Sequence, residues 1–292
     1  MSMCDQGSAL KELIRLLRLE EIKENQFRGQ SQDLGFGNVF GGQVMAQALS
    51  AATRTVDPAF GAHSLHGYFM RAGKANGPID YAVERVQDGK SFVNRRVTAL
   101  QKGQVFFSLS CSFQRPEQGF DHQDPMPRVP GPQGIIPESA LVDKLIPHLP
   151  AGIREKVLAP RPIEIRVVDP MDPFNPQAMP PKRFIWFRAP SPLPKDEVLH
   201  KYLLTYASDF HLVSTALYPH GRTFWSQDTQ VASLDHAVWF HREVSMDQWH
   251  LCAMESPNAS GARGMNMGAV YSQDGVRVAS VVQEGLTRPM KK

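Results

Sequence analysis

Two stretches of the chain carry the same short phrases in the same order, and this repetition constrains the fold more than any other feature. The first stretch has Ser64-Leu65, Phe69-x-Arg71, Asn94, Gln101-x-Gly103 and Ser108, and the second has Ser233-Leu234, Phe240-x-Arg242, Asn266, Gln273-x-Gly275 and Ser280. The offset between matched residues drifts only from 169 to 172. Because self-similarity at a nearly fixed period is how duplicated architecture shows in sequence, we expect two copies of one module.

The composition is that of a soluble globular protein long enough for two modules. The 292 residues exceed what a single core usually needs. Hydrophobic residues make up 42% and charged residues 21%, and a net charge of +3 is too small to indicate nucleic-acid binding. Three scattered cysteines, Cys4, Cys111 and Cys252, fit neither a disulfide framework nor a zinc site. We therefore expect a reducing compartment and no bound metal.

The two ends of the chain bear on its location. Residues 8–21 alternate leucines with charged residues, which predicts an amphipathic helix and not a signal peptide. The C-terminus lacks the peroxisomal address Ser-Lys-Leu. These observations predict a cytoplasmic protein without membrane insertion.

Proline marks the boundary between the modules, because eighteen of the 23 prolines lie between Pro116 and Pro194. We predict an N-terminal module over residues 1–115, a proline-rich and partly ordered linker over 116–160, and a C-terminal module over 161–292. Within the linker, residues 139–149 carry Leu141, Leu145 and Ile146 at helical spacing.

Each module is predicted to have one apolar helix and long strands, an α+β arrangement with a helix against an antiparallel sheet. The predicted helices are 41–55 and 200–217. The predicted strands are 79–86, 92–101, 104–113, 163–167, 184–187, 231–242, 250–255, 264–271 and 276–284.

Asp209 is the strongest chemical signal. It is the only residue with a full charge at neutral pH between Tyr202 and Gly221. Burying a carboxylate costs free energy unless hydrogen bonds compensate, and Asp is a mediocre helix former. A catalytic role would explain its presence, and so would an exposed position or a set of structural hydrogen bonds.

Two other polar residues are weaker candidates when taken alone. Ser233 begins a predicted strand, where serine is commonly a turn residue. Gln283 follows an apolar segment in a predicted central strand and corresponds to Cys111 in the first copy. Motifs for a serine nucleophile elbow, a zinc site or a dinucleotide cofactor are absent. An acyl-enzyme formed with a Ser and a His is therefore unsupported, but it stays an alternative because the chain has His211, His220, His236 and His241. Cys111 as a nucleophile is a further alternative, although a lone Cys in an apolar strand is more often a small core residue.

Several ordered phrases resemble the acyl-CoA thioesterase II family over about residues 8 to 288. They are Val39-Phe40-Gly41-Gly42-Gln43, His63-Ser64-Leu65-His66, Arg95-Arg96-Val97, Tyr206-Ala207-Ser208-Asp209, Asp235-His236, Trp239-Phe240-His241-Arg242 and Val282-Gln283-Glu284-Gly285. The resemblance implies a double hotdog fold, in which two tandem modules each wrap a sheet around a long helix. It also implies a homo-oligomer, a dimer or tetramer, that acts on acyl-CoA without a cofactor.

In that family an Asp on the second helix, a Thr or Ser on a following strand and a Gln near the end of the last strand orient the attacking water. The resemblance places these catalytic roles on Asp209, Ser233 and Gln283. Ser233 departs from the Thr that close relatives often have, yet both residues supply a hydroxyl. Two alternatives stay open at this point. One is a hydratase or dehydratase of the same fold that uses Asp235 or His236, and the other is a non-catalytic acyl-CoA binding protein.

Overall fold

A computed structural model describes residues 3–35, 37–142, 146, 154, 158–172 and 175–290. Its described α-helices are α1 (Met3–Leu17), α2 (Gly41–Thr53), α3 (Glu138–Val142) and α4 (Glu197–Ala207), and the 3₁₀ helices are Pro132–Gly134 and Val213–His220. Helix α3 overlaps the start of the linker segment 139–149 that was predicted to be helical, and residues 143–145 and 147–149 of that segment lie outside the described part of the chain.

The described strands form one antiparallel sheet. They are β1 (Glu20–Lys23), β2 (Gln26–Gln30), β3 (Gly61–Phe69), β4 (Pro78–Asp88), β5 (Phe92–Gln101), β6 (Gln104–Gln114), β7 (Glu164–Val168), β8 (Lys182–Arg188), β9 (Thr229–Ser233), β10 (Asp235–Phe240), β11 (His250–Ser260), β12 (Arg263–Ser272) and β13 (Arg277–Pro289). The order across the sheet is β1-β2-β4-β5-β6-β3-β10-β13-β12-β11-β8-β7, and β9 pairs with β13.

The sheet consists of two halves with the same internal order. From the outer edge inwards, the first half runs β1-β2-β4-β5-β6-β3 and the second runs β7-β8-β11-β12-β13-β10. The halves join where β3 pairs with β10, with Leu65 opposite Val238. The predicted α+β class with two similar copies is therefore confirmed, and the two sheets are continuous.

The strand register corrects one detail of the repeat. In the second half Asn266 lies opposite Gln283, whereas in the first half Cys111 lies opposite Arg95 and Asn94 lies opposite Ser112. The structural counterpart of Asn266 is therefore Arg95, one residue beyond the match that sequence identity suggests. Asn94 faces the other side of the sheet, because successive strand residues alternate faces.

Helix α2 lies at the centre of the core. It contacts strands β2 to β6 on one side and α4 on the other, and the small residues Ala46, Ala48, Ala51 and Ala52 are fully buried. In the second half, the 3₁₀ helix Val213–His220 contacts the strands, while α4 packs on α2. The helix that the sheet wraps is thus continuous in the first half, where it is α2. In the second half it is interrupted and consists of α4 and the 3₁₀ helix.

The predicted helix 200–217 is wrong in its bounds. Asp196 accepts hydrogen bonds from the backbone N–H groups of Val198 and Leu199 and starts α4 earlier than periodicity suggested. Helix α4 ends at Ala207, and His211 has a left-handed backbone (φ 66°), which separates α4 from the 3₁₀ helix. Asp209 consequently lies in the turn after α4 and not on a helix.

The predicted strand 231–242 is also interrupted. Leu234 separates β9 from β10, its N–H donates to the carbonyl of Glu284, and its carbonyl accepts from Phe69 N–H. Strands β9 and β10 pair with different parts of β13, and β10 alone also pairs with β3. This break places Ser233 at the end of a strand, beside Gln283.

Candidate active site

Asp209 is held by hydrogen bonds to both of its carboxylate oxygens. Oδ2 accepts from the backbone N–H of Gly42 at 2.9 Å, and Oδ1 accepts from Gln283 Nε2 at 2.8 Å. The residue is 9% exposed. Because donors compensate the cost of burying a charge, these contacts explain how an ionised carboxylate is accommodated there.

The hydrogen bond from Gly42 joins the two halves of the molecule. Gly42 lies in the first turn of α2, and Phe40, the residue before that helix, makes no side-chain capping bond. Asp209 therefore supplies an acceptor for the helix start from the other half of the chain. The positive end of the α2 dipole favours a negative charge at this place.

Glycine is required at positions 41 and 42. A Cβ on Gly41 would lie 2.7 Å from Asp209 Oδ2 and 2.9 Å from Phe69 Cζ. One on Gly42 would lie 2.3 Å from the carbonyl oxygen of Tyr206 in α4. The pair thus permits both the close packing of α2 on α4 and the approach of Asp209 to the helix start. Sequence reasoning did not assign these two residues to the site, although a Gly-Gly pair opening a helix was a usable signal.

Gln283 connects Asp209 with Ser233. Its side chain is fully buried, and Nε2 donates to Asp209 Oδ1 and, at 3.1 Å, to Ser233 Oγ. The opposite amide orientation would place a carbonyl oxygen against the carboxylate, so the network fixes the assignment of N and O. Since Ser233 Oγ accepts from Gln283, its own proton can be donated to another group. The structure therefore brings Asp209, Ser233 and Gln283 together.

His236 is a fourth member of this cluster. Nδ1 lies 3.7 Å from Asp209 Oδ1, and Nε2 lies 2.9 Å from Ser208 Oγ. Burial lowers the pKa of His236, and the nearby charge of Asp209 opposes that shift without reversing it. His236 Nδ1 and Gln283 Oε1 are buried atoms without a hydrogen-bond partner among the described residues. The site thus has two buried polar atoms that protein groups do not satisfy.

The remaining candidate residues lie outside the cluster. Asp235 on β10 accepts a hydrogen bond at 2.7 Å from the backbone N–H of Glu284 on the adjacent strand β13. Burial raises the pKa of the Asp235 carboxyl. Cys111 is a buried free thiol. Burial raises its pKa, which keeps it protonated and argues against a nucleophilic role.

Neither metal ligation nor a membrane span is indicated in the residues that the structure describes. No group of three or more His, Cys, Asp or Glu side chains there is arranged to hold a metal ion. Within the same residues, every helix is too short or too polar to cross a bilayer.

Comparisons with known proteins find relatives over nearly the whole chain. A family model described as acyl-CoA thioesterase matches residues 154–286, and one described as the N-terminal domain of acyl-CoA thioesterases matches residues 30–114. The chain is 43% identical to acyl-CoA thioesterase 2 of Haemophilus influenzae over 279 residues, which cover 96% of this chain and 98% of that protein.

Solved structures show the same relationship. An acyl-CoA thioesterase II from Mycobacterium marinum superimposes with a TM-score of 0.78 at 39% identity, over 95% of this chain and 98% of that one. A protein with a hotdog fold from Alicyclobacillus acidocaldarius superimposes with a TM-score of 0.76 at 18% identity, over 96% of this chain and 99% of that one. The second match supports the double hotdog architecture alone. With its fold, its near full-length relatives and its sequence motifs in agreement, the chain belongs to the acyl-CoA thioesterase family, whose members are thioester hydrolases.

Proposed function

We propose that this thioesterase hydrolyses acyl-CoA to free fatty acid and CoA by direct attack of water, with Asp209 as the general base. The observation that carries the proposal is the buried Asp209 carboxylate, oriented by Gly42 N–H and Gln283 Nε2. An acyl-enzyme route lacks support, because Ser233 contacts an amide donor and the cysteine Cys111 is buried.

The proposed reaction needs three functions that these side chains can supply. Asp209 accepts a proton as the water oxygen bonds to the thioester carbon and the carbonyl oxygen becomes negative. Ser233 donates a hydrogen bond from its hydroxyl to the water or to that oxygen, and Gln283 holds Asp209 and Ser233 in fixed relation. When the carbon–sulfur bond breaks, the proton on Asp209 passes to the departing CoA thiolate.

The test is the substitution Asp209→Asn, assayed with palmitoyl-CoA by release of free thiol. Losing the general base is expected to lower kcat on the order of 10²-fold or more. Asp235→Asn is the matched control, because an Asn can still accept the hydrogen bond from Glu284 N–H. Wild-type turnover in a folded Asp209→Asn variant would remove this residue from the mechanism.

Thiol release from palmitoyl-CoA, together with the absorbance of an enoyl-CoA, separates the two alternative functions. A hydratase or dehydratase would change absorbance at an enoyl bond without releasing thiol, and loss of that activity in Asp235→Asn would favour it. A binding protein would retain acyl-CoA without releasing thiol. Thiol release that depends on Asp209 excludes both.

We further propose a cytoplasmic homo-oligomer, a dimer or tetramer, and the module division 1–115, 116–160 and 161–292. Exposed apolar side chains on the sheet support association, among them Tyr68, Met265 and Met267. Light scattering of the purified chain measures the mass, and a monomer at micromolar concentration would contradict the proposed assembly.

A further inference from the structure

The position of the proton on His236 follows from Ser208. The hydroxyl of Ser208 donates to the carbonyl oxygen of Thr205 at 2.9 Å, which is a carbonyl of the last turn of α4 and needs a donor. A hydroxyl has a single proton. Towards His236 Nε2, at 2.9 Å, Ser208 Oγ must therefore act as the acceptor. Neutral His236 consequently carries its proton on Nε2 and has a bare lone pair on Nδ1.

That lone pair faces the proposed base. His236 Nδ1 is 3.7 Å from Asp209 Oδ1 and has no partner among the described residues. Two acceptors directed at one another in a buried site repel unless a donor serves both. A water oxygen can stand about 2.8 Å from each atom, the ordinary hydrogen-bond distance, since the two atoms are close enough together.

We propose that His236 Nδ1 and Asp209 Oδ1 accept the two hydrogens of the attacking water, which makes His236 a catalytic residue and Ser208 a positioning residue. This inference rests on the proposed hydrolysis. One O–H bond of the water breaks as its oxygen joins the thioester carbon, and that proton passes to Asp209. The other hydrogen stays on the new hydroxyl, held by Nδ1, and leaves with the carboxylic acid product.

The arrangement requires His236 to be neutral. A proton on Nδ1 would remove the acceptor and would direct a positive charge at Asp209. The charged group that affects the pKa of His236 is Asp209, which raises it. The neighbours of His236 on the adjacent strands carry no charge: Gly67 lies opposite it on β3, and Gln283 lies on β13. Because burial holds the pKa of His236 below 6.5, we expect kcat to fall as the pH drops below 6.5 and His236 becomes protonated.

Two substitutions separate the two ring nitrogens. Asn at position 236 can place an oxygen near Nδ1 but cannot reach Ser208, whereas Gln can donate to Ser208 but has no acceptor near Nδ1. We expect His236→Gln to lower kcat for palmitoyl-CoA on the order of 10-fold to 10²-fold at unchanged KM, and His236→Asn to retain more activity. His241→Gln is the matched control, since that histidine directly follows β10, contacts Ser280 of the neighbouring strand β13 and lies outside the site.

Ser208 is tested by its pH profile. In Ser208→Ala the proton of His236 is no longer fixed on Nε2, so kcat should fall and its acidic limb should shift, while Ser208→Thr keeps the hydroxyl and should restore both. All variants are checked for an unchanged thermal unfolding midpoint. If His236→Gln is folded and retains the wild-type kcat and pH profile while Asp209→Asn is inactive, this inference fails and the proposed hydrolysis stands. If Asp209→Asn is active, both fail.

Discussion

Asp209 combines two tasks that usually fall to different residues. Its carboxylate receives the first-turn N–H of α2, as a helix-capping side chain does, and it is the proposed general base. Both tasks require an acceptor oxygen with fixed orientation, and the second also requires the negative charge. A substitution at this position therefore acts on the contact between the halves as well as on chemistry, and assays of Asp209 variants need a measurement of folding beside them.

Gln283 should matter less for turnover than Asp209. In Gln283→Ala the carboxylate loses one of its donors and Ser233 loses its partner, but the base remains. We expect kcat to fall on the order of 10-fold, with the secondary structure and the unfolding midpoint close to wild type. A variant that unfolds at the assay temperature would indicate that Gln283 has a structural role instead.

At the residue scale, the sequence predicts those site residues that break a local pattern or belong to a motif. Asp209 interrupts an apolar segment, and motifs drew attention to Ser233 and Gln283. The contribution of Gly42 was not predicted, because it depends on how α2 meets a turn 167 residues away in the chain. His236 was noted only for a different reaction, since a sequence does not show which atom its Nδ1 faces.

Helices α2 and α4 differ in how their first turns are capped, and this difference explains why the site lies at the start of α2. Helix α4 is capped by its own Asp196, whereas Phe40 gives α2 no side-chain cap. The uncapped start of α2 accommodates a carboxylate from elsewhere. Asp209 reaches it because α4 ends at Ala207 and the chain turns.

Gly42→Ala tests this contact between elements. The added methyl group would approach the Tyr206 carbonyl oxygen and the Phe40 ring, at 2.3 Å and 2.6 Å, so α2 and α4 must separate. We expect the free energy of unfolding to fall by about 1–3 kcal/mol and kcat to fall with it, because the donor to Asp209 moves. Urea unfolding and thiol release measure the two effects. Gly119→Ala is the control, since a Cβ there meets no atom within 4 Å, and equal stability of the two variants would contradict the close packing.

Regular elements could be predicted from the sequence, and interrupted ones could not. The strand predicted over residues 92–101 has those bounds in the structure, because alternation and a Lys-Gly turn define it locally. The helix predicted over 200–217 and the strand over 231–242 are each divided beside the site. Apolar periodicity continues through both breaks. The first lies where His211 adopts a left-handed backbone, and the second lies where β9 and β10 pair with different parts of β13.

Across the whole molecule, the two halves share strand order but not chemistry. The positions of Gln283 and Asn266 in the second half are taken by Cys111 and Arg95 in the first. Arg95 is buried and donates to the Thr55 hydroxyl, the Thr55 carbonyl and Asp88. That end of the sheet therefore contains a structural hydrogen-bond network, while the first half contributes to the proposed site through the start of α2.

Buried neutral histidines should make global stability depend on pH. Burial lowers the pKa of His250 to about 4, and burial also lowers the pKa of His211 and His236. In the unfolded chain each returns to its ordinary value near 6.5. The unfolded state therefore binds more protons between pH 6.5 and the folded pKa, so the stabilisation is present above 6.5 and is lost as the pH falls.

The contribution of a single buried histidine to the pH dependence of stability can be measured at His250. Its Nδ1 donates to the Gln248 carbonyl at 2.9 Å, a bond that an Asn side chain can also make. At about 1.4 kcal/mol per pKa unit, His250 should account for up to about 3 kcal/mol of the stability lost between pH 6.5 and 4. Urea unfolding of His250→Asn should therefore show a shallower decline over this range than wild type. His122→Asn, at an exposed position, should decline as wild type does, and identical slopes for all three proteins would show that His250 is not held neutral by burial.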